Sequence, residues 1–153
     1  MTALAYFNGV IAADSRETIG DGDYFERCEK LFRRRINKRD VVVGTAGGSY
    51  LGMVFVDWLA SGAKVPPAIL TAADVEEDFE AIVLDRGRVY SANHLCRLVR
   101  NHNAHVVAGS GAKAALAALY CGRSAREAVR IACRLDPSCG LPVVTMQMPG
   151  VKK

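Results

Sequence analysis

Asn8-Gly9 lies between two short apolar stretches near the start of the chain. It is the preferred central pair of a two-residue type I′ hairpin turn, because both positions need positive φ. A turn centred there pairs Phe7 with Val10, Tyr6 with Ile11, Ala5 with Ala12, Leu4 with Ala13 and Ala3 with Asp14. Thr2 then falls opposite Ser15, so the chain start is held at the end of a strand, where most termini fray. Strict alternation puts Asp14 on the face of Ala3 rather than that of Thr2.

The rest of the chain continues this antiparallel character. A polar connector, Gly20-Asp21-Gly22-Asp23, leads into the segment Tyr24 to Arg35. Val41-Val42-Val43 reads as a buried strand running into a Gly-rich turn, Gly44-Thr45-Ala46-Gly47-Gly48. Leu51, Phe55, Trp58 and Leu59 then form one apolar helix face, and Ser61 to Pro67 ends that helix. Glu80 to Tyr90 reads as a second hairpin with Asp85-Arg86-Gly87 at its turn. A strand over His105–Ala108 meets the turn Gly109-Ser110-Gly111 and a helix from Ala112 to Cys121. Ser124 with Glu127 is a capping-box start for a last helix. That helix places Arg126, Arg130 and Arg134 outside and Ala125, Ala128, Val129, Ala132 and Leu135 inside. A final strand spans Val143 to Met148. Hairpins cannot make parallel pairs, so the class is α+β with antiparallel sheet.

Composition narrows the setting. At 153 residues, 50% of them hydrophobic, the chain is expected to be one domain, 1–153. A net charge of +4 is too mild to imply nucleic-acid binding unless the basic residues share one face. No apolar run approaches the ~18–20 residues of a membrane span, and the first residues lack the pattern of a signal peptide. Five cysteines without a C-x-x-C argue against a disulfide framework or a zinc site and point to a reducing cytoplasm.

Few residues carry a chemical signal of their own. The two Gly-rich turns lack both G-x-G-x-x-G and G-K-[ST], so a nucleotide-binding module is the last of the readings. Arg33-Arg34-Arg35 with Lys38 and Arg39 is able to grip phosphates, but a solvated strand end or turn is the plainer reading. His94, His102 and His105 match no metal-ligand spacing, so no metal or other cofactor is expected. Cys121 and Cys133 read as small, buried packing residues. Thr2 stands apart. Removal of Met1 would expose a threonine whose own α-amine can act as base for its hydroxyl, although threonine after methionine is common and on its own is a weak signal. An α-amine pKa near ~7.7–8.0 leaves roughly a tenth of it neutral at pH 7, whereas a lysine near ~10.4 is almost wholly charged. A neighbouring lysine therefore acts as a fixed charge that lowers the pKa of hydroxyl and amine.

Ala12-Ala13-Asp14-Ser15-Arg16-Glu17-Thr18, then Lys30, then Gly44 to Gly48, then Gly109-Ser110-Gly111 together resemble the proteasome β-subunit and HslV peptidase family. These are N-terminal-nucleophile hydrolases with a threonine nucleophile, and the resemblance runs from Thr2 to about Gly140. Lys30 follows Asp14 by sixteen residues, the family's spacing. The first hairpin is two residues per arm shorter, which preserves register, so Thr2 and not Met1 or Ala3 takes the nucleophile's place. The resemblance implies a four-layer αββα sandwich of two antiparallel sheets between helix layers. It implies Thr2 as nucleophile with its amine as general base, Lys30 as adjacent charge, Asp14 as the partner of Lys30 and the Gly47 N–H as oxyanion donor. Ser110 matches the serine that bonds near the threonine amine. Asp136 matches an aspartate three residues before a second serine, a position held here by Cys139 with Ser138 beside it. Thr45 matches the residue facing the first specificity pocket.

Two long helices lie between the Gly-rich turn and the central hairpin in that family, whereas Gly62 to Asp78, with Pro66-Pro67, leaves room for one turn of the second. In the HslV branch the pair helps receive the tail of an ATPase, so an ATPase unfoldase is not an expected partner. The expected function is a cytoplasmic threonine endopeptidase acting on peptides or unfolded proteins, assembled as a homo-oligomeric ring of six or seven subunits. No nucleic-acid or membrane partner is expected. A catalytically silent ring subunit and a small-molecule amide hydrolase on the same fold are the alternatives. Thr2 is small, so removal of Met1 in the cell is expected.

Overall fold

Period-two alternation in the first hairpin divides the molecule into layers. A computed structural model describes residues 1–20, 22, 24–71 and 79–150. In β1 (Leu4–Phe7) and β2 (Val10–Ala13), Leu4, Ile11 and Ala13 join one apolar cluster, while Ala5 and Ala12 join another. The register is the one Asn8-Gly9 demands, Leu4 opposite Ala13 through Phe7 opposite Val10, with Asn8 and Gly9 both at positive φ. Next come β3 (Arg16–Ile19), β4 (Tyr24–Arg27), β5 (Leu31–Ile36) and β6 (Arg39–Gly47). α1 (Ser49–Ser61) and α2 (Ala68–Thr71) follow. Then β7 (Phe79–Asp85), β8 (Arg88–Asn93), β9 (Val99–Asn101) and β10 (His105–Ala108) precede α3 (Ala112–Tyr120), α4 (Ala125–Leu135) and β11 (Val144–Gln147).

One sheet has the order β10-β1-β2-β11, a second the order β5-β6-β7-β8-β9, and β3-β4 forms a separate hairpin. All the ladders are antiparallel. Leu4 and Ile11 of the first sheet meet Leu31, Val42, Ile82 and Leu84 of the second in the layer between them. On the outer face of the first sheet, Ala3, Ala5 and Ala12 pack on Ala115 and Leu119 of α3 and on Ala128, Val129 and Ala132 of α4. On the outer face of the second, Val41, Val43, Ala81 and Val83 pack on Phe55 and Val56 of α1 and Leu70 of α2. The order is helix, sheet, sheet, helix. Burial of a side chain such as Phe55, with no exposed surface, contributes about 1.5–3 kcal/mol.

Several local expectations are corrected. Gly44 lies inside β6 and not in a turn; a Cβ there would approach Ile11 Cδ1 to 2.8 Å, so glycine is needed because two sheets meet over it. Asp85 belongs to β7, leaving Arg86-Gly87 as the turn. Leu135 ends α4 and is 70% exposed rather than inside, and Cys121 is exposed rather than buried. The capping box of α4 is present, with the Glu127 N–H donating to Ser124 Oγ at 3.3 Å and the Ser124 N–H donating to Glu127 Oε2 at 3.1 Å. The segment after α1 contains α2 as a single turn, and the expected shortening beyond it falls on residues 72–78, outside the described residues. Among the described residues no helix is long and apolar enough to cross a membrane.

Candidate active site

Ala3 packs outward against the helices, so the alternating chain turns Thr2, like Leu4, towards the space between the sheets. Thr2 is 2% exposed. Its backbone is clamped by the turn after β10: the Gly111 N–H donates to Thr2 O at 3.1 Å, and the Thr2 N–H donates to Ser110 Oγ at 3.3 Å. Gly109 has φ +87°, and a Cβ there would stand 2.3 Å from Thr2 O. Its N–H donates to Glu80 Oε2 at 2.9 Å, which ties the turn to the opposite sheet. Gly109→Ala is therefore expected to lose about 2 kcal/mol or more, from the left-handed backbone and the displaced Thr2 carbonyl together. Chemical denaturation checks this, and an unchanged midpoint would remove the clamp from the account.

Asp14 lies one residue beyond β2, where strict alternation no longer governs it. Its carboxylate collects four donors. Oδ1 accepts from the Ala3 N–H and from Lys30 Nζ, each at 2.9 Å. Oδ2 accepts from the Gly140 N–H at 2.9 Å and the Arg16 N–H at 3.2 Å. Lys30 just precedes β5, and the Thr45 N–H donates to its carbonyl at 2.9 Å, which brings Thr45 of β6 alongside. All three ammonium protons are engaged: with Asp14, with Met1 O at 2.8 Å and with Arg16 O at 2.6 Å. A buried ammonium thus sits on the carbonyl of the Met1–Thr2 peptide bond.

A second network reaches Thr2 through Ser110. Ser110 Oγ lies 3.8 Å from Cys139 Sγ, and that thiol donates to Asp136 Oδ2 at 3.4 Å. Ser138 donates to Asp136 Oδ1 through its backbone N–H, at 3.0 Å, and through its hydroxyl. Burial alone would raise the Asp136 pKa; hydrogen bonds from Ser138, Ser110 and Cys139 outweigh it and hold the carboxyl at about 2. Burial, reinforced by the charge of Asp14, pushes the Cys139 thiol up to about 12, so it stays protonated as a donor.

Gly47 ends β6 at φ +96° and is exposed. A cleft of ≈ 390 Å³ is lined by Thr2, Lys30, Thr45 and Gly47, with Glu17 and Cys28 among its other walls. Glu17 accepts a hydrogen bond from the hydroxyl of Ser49, the first residue of α1. A smaller cavity of ≈ 200 Å³ is lined by Thr2, Gly47, Glu80 and Ser110. Thr2 and Gly47 border both, so a chain laid from one cavity to the other passes them. The fold thus brings together Thr2, Asp14, Lys30, Thr45, Gly47, Ser110 and Asp136. Glu80 and the Arg16 carbonyl were not found from the sequence, because a strand glutamate and a backbone oxygen carry no motif. Cys139 is marked only by its spacing from Asp136. His105 stacks between Phe7 and Tyr120, at ring distances of 4.8 and 5.0 Å, away from this group. Among the described residues no three His, Cys, Asp or Glu side chains are grouped to hold a metal ion.

No family model matches the sequence, and no curated protein does. Solved structures do match. Eukaryotic HslV from Trypanosoma brucei superposes with TM-score 0.64 at 19% identity, over 95% of this chain and 98% of that one. Thiobacillus denitrificans BPH, solved in complex with epoxomicin, gives 0.67 at 20% identity over 96% and 98%. Anbu, described as an ancestral β-subunit, from Yersinia bercovieri gives 0.69 at 16% identity over 97% and 81%. The layered sandwich described above is therefore the fold of the HslV and proteasome-type N-terminal-nucleophile peptidases.

Proposed function

We propose that the chain, as a single domain with Thr2 as its mature first residue, is a threonine endopeptidase acting on peptides or unfolded proteins. The observation that carries this reading is the buried Lys30 ammonium, held by Asp14 at 2.9 Å and placed on the carbonyl that precedes Thr2. Once Met1 is gone, that acceptor is lost and one ammonium proton is released beside the new α-amine. The positive charge lowers the pKa of both amine and hydroxyl. The Thr2 amine takes the Oγ1 proton as Oγ1 attacks the peptide carbonyl, and the tetrahedral oxyanion accepts the Gly47 N–H. The amine returns the proton to the leaving nitrogen, the C–N bond breaks, and an ester to Thr2 remains. Water deprotonated by the same amine then hydrolyses that ester. Ser110, supported by Cys139 and Asp136, orients the amine, and Thr45 faces the substrate side chain.

The proposal extends to a cytoplasmic homo-oligomeric ring of six or seven subunits, for which an ATPase unfoldase is a doubtful partner. A peptide epoxyketone followed by intact-mass analysis tests the catalytic reading. The expected result is a chain lacking Met1 that gains one adduct, and no adduct on Thr2→Ala. Retention of Met1 throughout, or an adduct that survives Thr2→Ala, would defeat it.

A further inference from the structure

A cavity of ≈ 550 Å³ opens at the other end of the sandwich, lined by Arg33, Arg35, Lys38, Arg39, Asp40 and Arg86 and by residues 147–150. It is remote from Thr2: β5 leads away from Lys30 towards the Asn37-Lys38 turn, about 20 Å at ~3.3 Å per residue. Leu31, Arg33 and Arg35 share one face of β5, and Leu31 belongs to the layer between the sheets. Alternation therefore aims two arginines at the side that holds core residues elsewhere. They stand where the edge strands β5 and β11 run side by side, and Arg33 Nη2 donates to Gln147 O at 3.4 Å.

Among the described residues the charges around this cavity do not balance. Arg33 meets Asp40 at 3.5 Å, but the two side chains are 45% and 51% exposed, and such a pair is worth little. Arg39 is held by Asp85 at 3.0 Å. Among the described residues Arg35, Lys38 and Arg86 have no carboxylate within 4.0 Å. The backbone adds an independent sign. Lys38 has φ +64° and Arg86 φ +50°, both in hairpin turns where Asn, Asp or Gly is preferred. The Asn8-Gly9 turn follows that preference, whereas at this end two long cations occupy left-handed positions at a conformational cost.

We propose that this cavity binds a multiply charged phosphate anion of the pyrophosphate or tripolyphosphate kind. Guanidinium forks match phosphate oxygens two at a time, and arginines supply four of the five cations. Among the described residues no aromatic side chain lines the cavity, so none of them stacks a nucleobase there. An oligophosphate concentrates its charge over a few atoms, where an acidic peptide spreads it at about 3.5 Å per residue. The site neither uses nor blocks the Thr2 cleft.

Isothermal titration of the full chain with tripolyphosphate at low salt tests this, with tetraglutamate as comparator. One saturable site is expected, about tenfold tighter for tripolyphosphate than for tetraglutamate and weakening as salt is added. The double variant Arg35→Gln/Arg86→Gln is expected to bind about tenfold more weakly. Lys38→Gly removes the left-handed lysine, so its melting temperature should rise while its tripolyphosphate affinity falls severalfold. A lysine with only a structural role would leave affinity unmoved. The proposal is overturned by the absence of saturable binding, by unchanged affinity in the double variant, or by tetraglutamate binding as tightly, which would make the cavity a surface for acidic peptides.

Discussion

Thr2→Ala is expected to lose about four orders of magnitude or more in kcat/KM towards a fluorogenic peptide, while Thr2→Ser should keep measurable turnover. The size of the loss follows from the site's construction. In the proposed mechanism the nucleophile and its base belong to one residue, and the remaining groups act only through it. Ser110 Oγ accepts from the Thr2 nitrogen and the Lys30 ammonium stands beside it, while on the proposed reading Gly47 serves an oxyanion that forms only after attack. Removing the hydroxyl leaves these groups without a reaction to assist. Thr2 is almost fully buried, so alanine there is expected to cost about 1 kcal/mol through the lost methyl and hydroxyl, far less than the loss in rate, and both variants should remain folded. Turnover by Thr2→Ala within tenfold of the parent would place the chemistry elsewhere.

Lys30→Met is expected to damage both stability and activity. Methionine keeps much of the stem's packing but leaves the Asp14 carboxylate, whose side chain has no exposed surface, without its counter-charge. Breaking one side of a buried pair costs about 3–5 kcal/mol, because the surviving charge stays desolvated. For a chain of this size that is a fall in Tm of about 10 °C or more. Asp14→Asn should behave similarly, since an amide cannot offer four acceptor sites to the Ala3, Arg16 and Gly140 N–H groups and Lys30 Nζ together. Lys30→Arg is not expected to rescue either property, because a planar fork does not reach acceptors arranged around a single nitrogen. Urea unfolding beside peptide hydrolysis separates the effects. A Lys30→Met protein with the parent's midpoint would show that the pair is no structural strut.

The first hairpin is readable from the sequence because Asn8-Gly9 dictates pairing locally, and Leu4 to Phe7 pair as that turn requires. The meeting of Asp14 with Lys30 is not readable that way. Alternation argues against it, and it succeeds because Asp14 has left the strand and takes its donors from Gly140 and Arg16 as well. Gly44 illustrates a second limit: a glycine run looks like a turn, while its cause is the approach of Ile11 from the other sheet. The β5–β6 hairpin goes unannounced because lysine stands where its turn favours glycine. Leu135 fits the helix period, yet it is the last residue of α4, where the packed surface has ended. The candidate site itself was assembled from spacing and family resemblance, and composition had no part in it.

If Thr2 acts as proposed, the bond from Lys30 to the carbonyl of Met1 works as a safety catch. While Met1 is attached, every proton on that ammonium is spoken for and the adjacent nitrogen is an amide without basicity. On that reading one exopeptidase event arms the molecule, and a chain that keeps residues upstream of Thr2 is expected to stay latent.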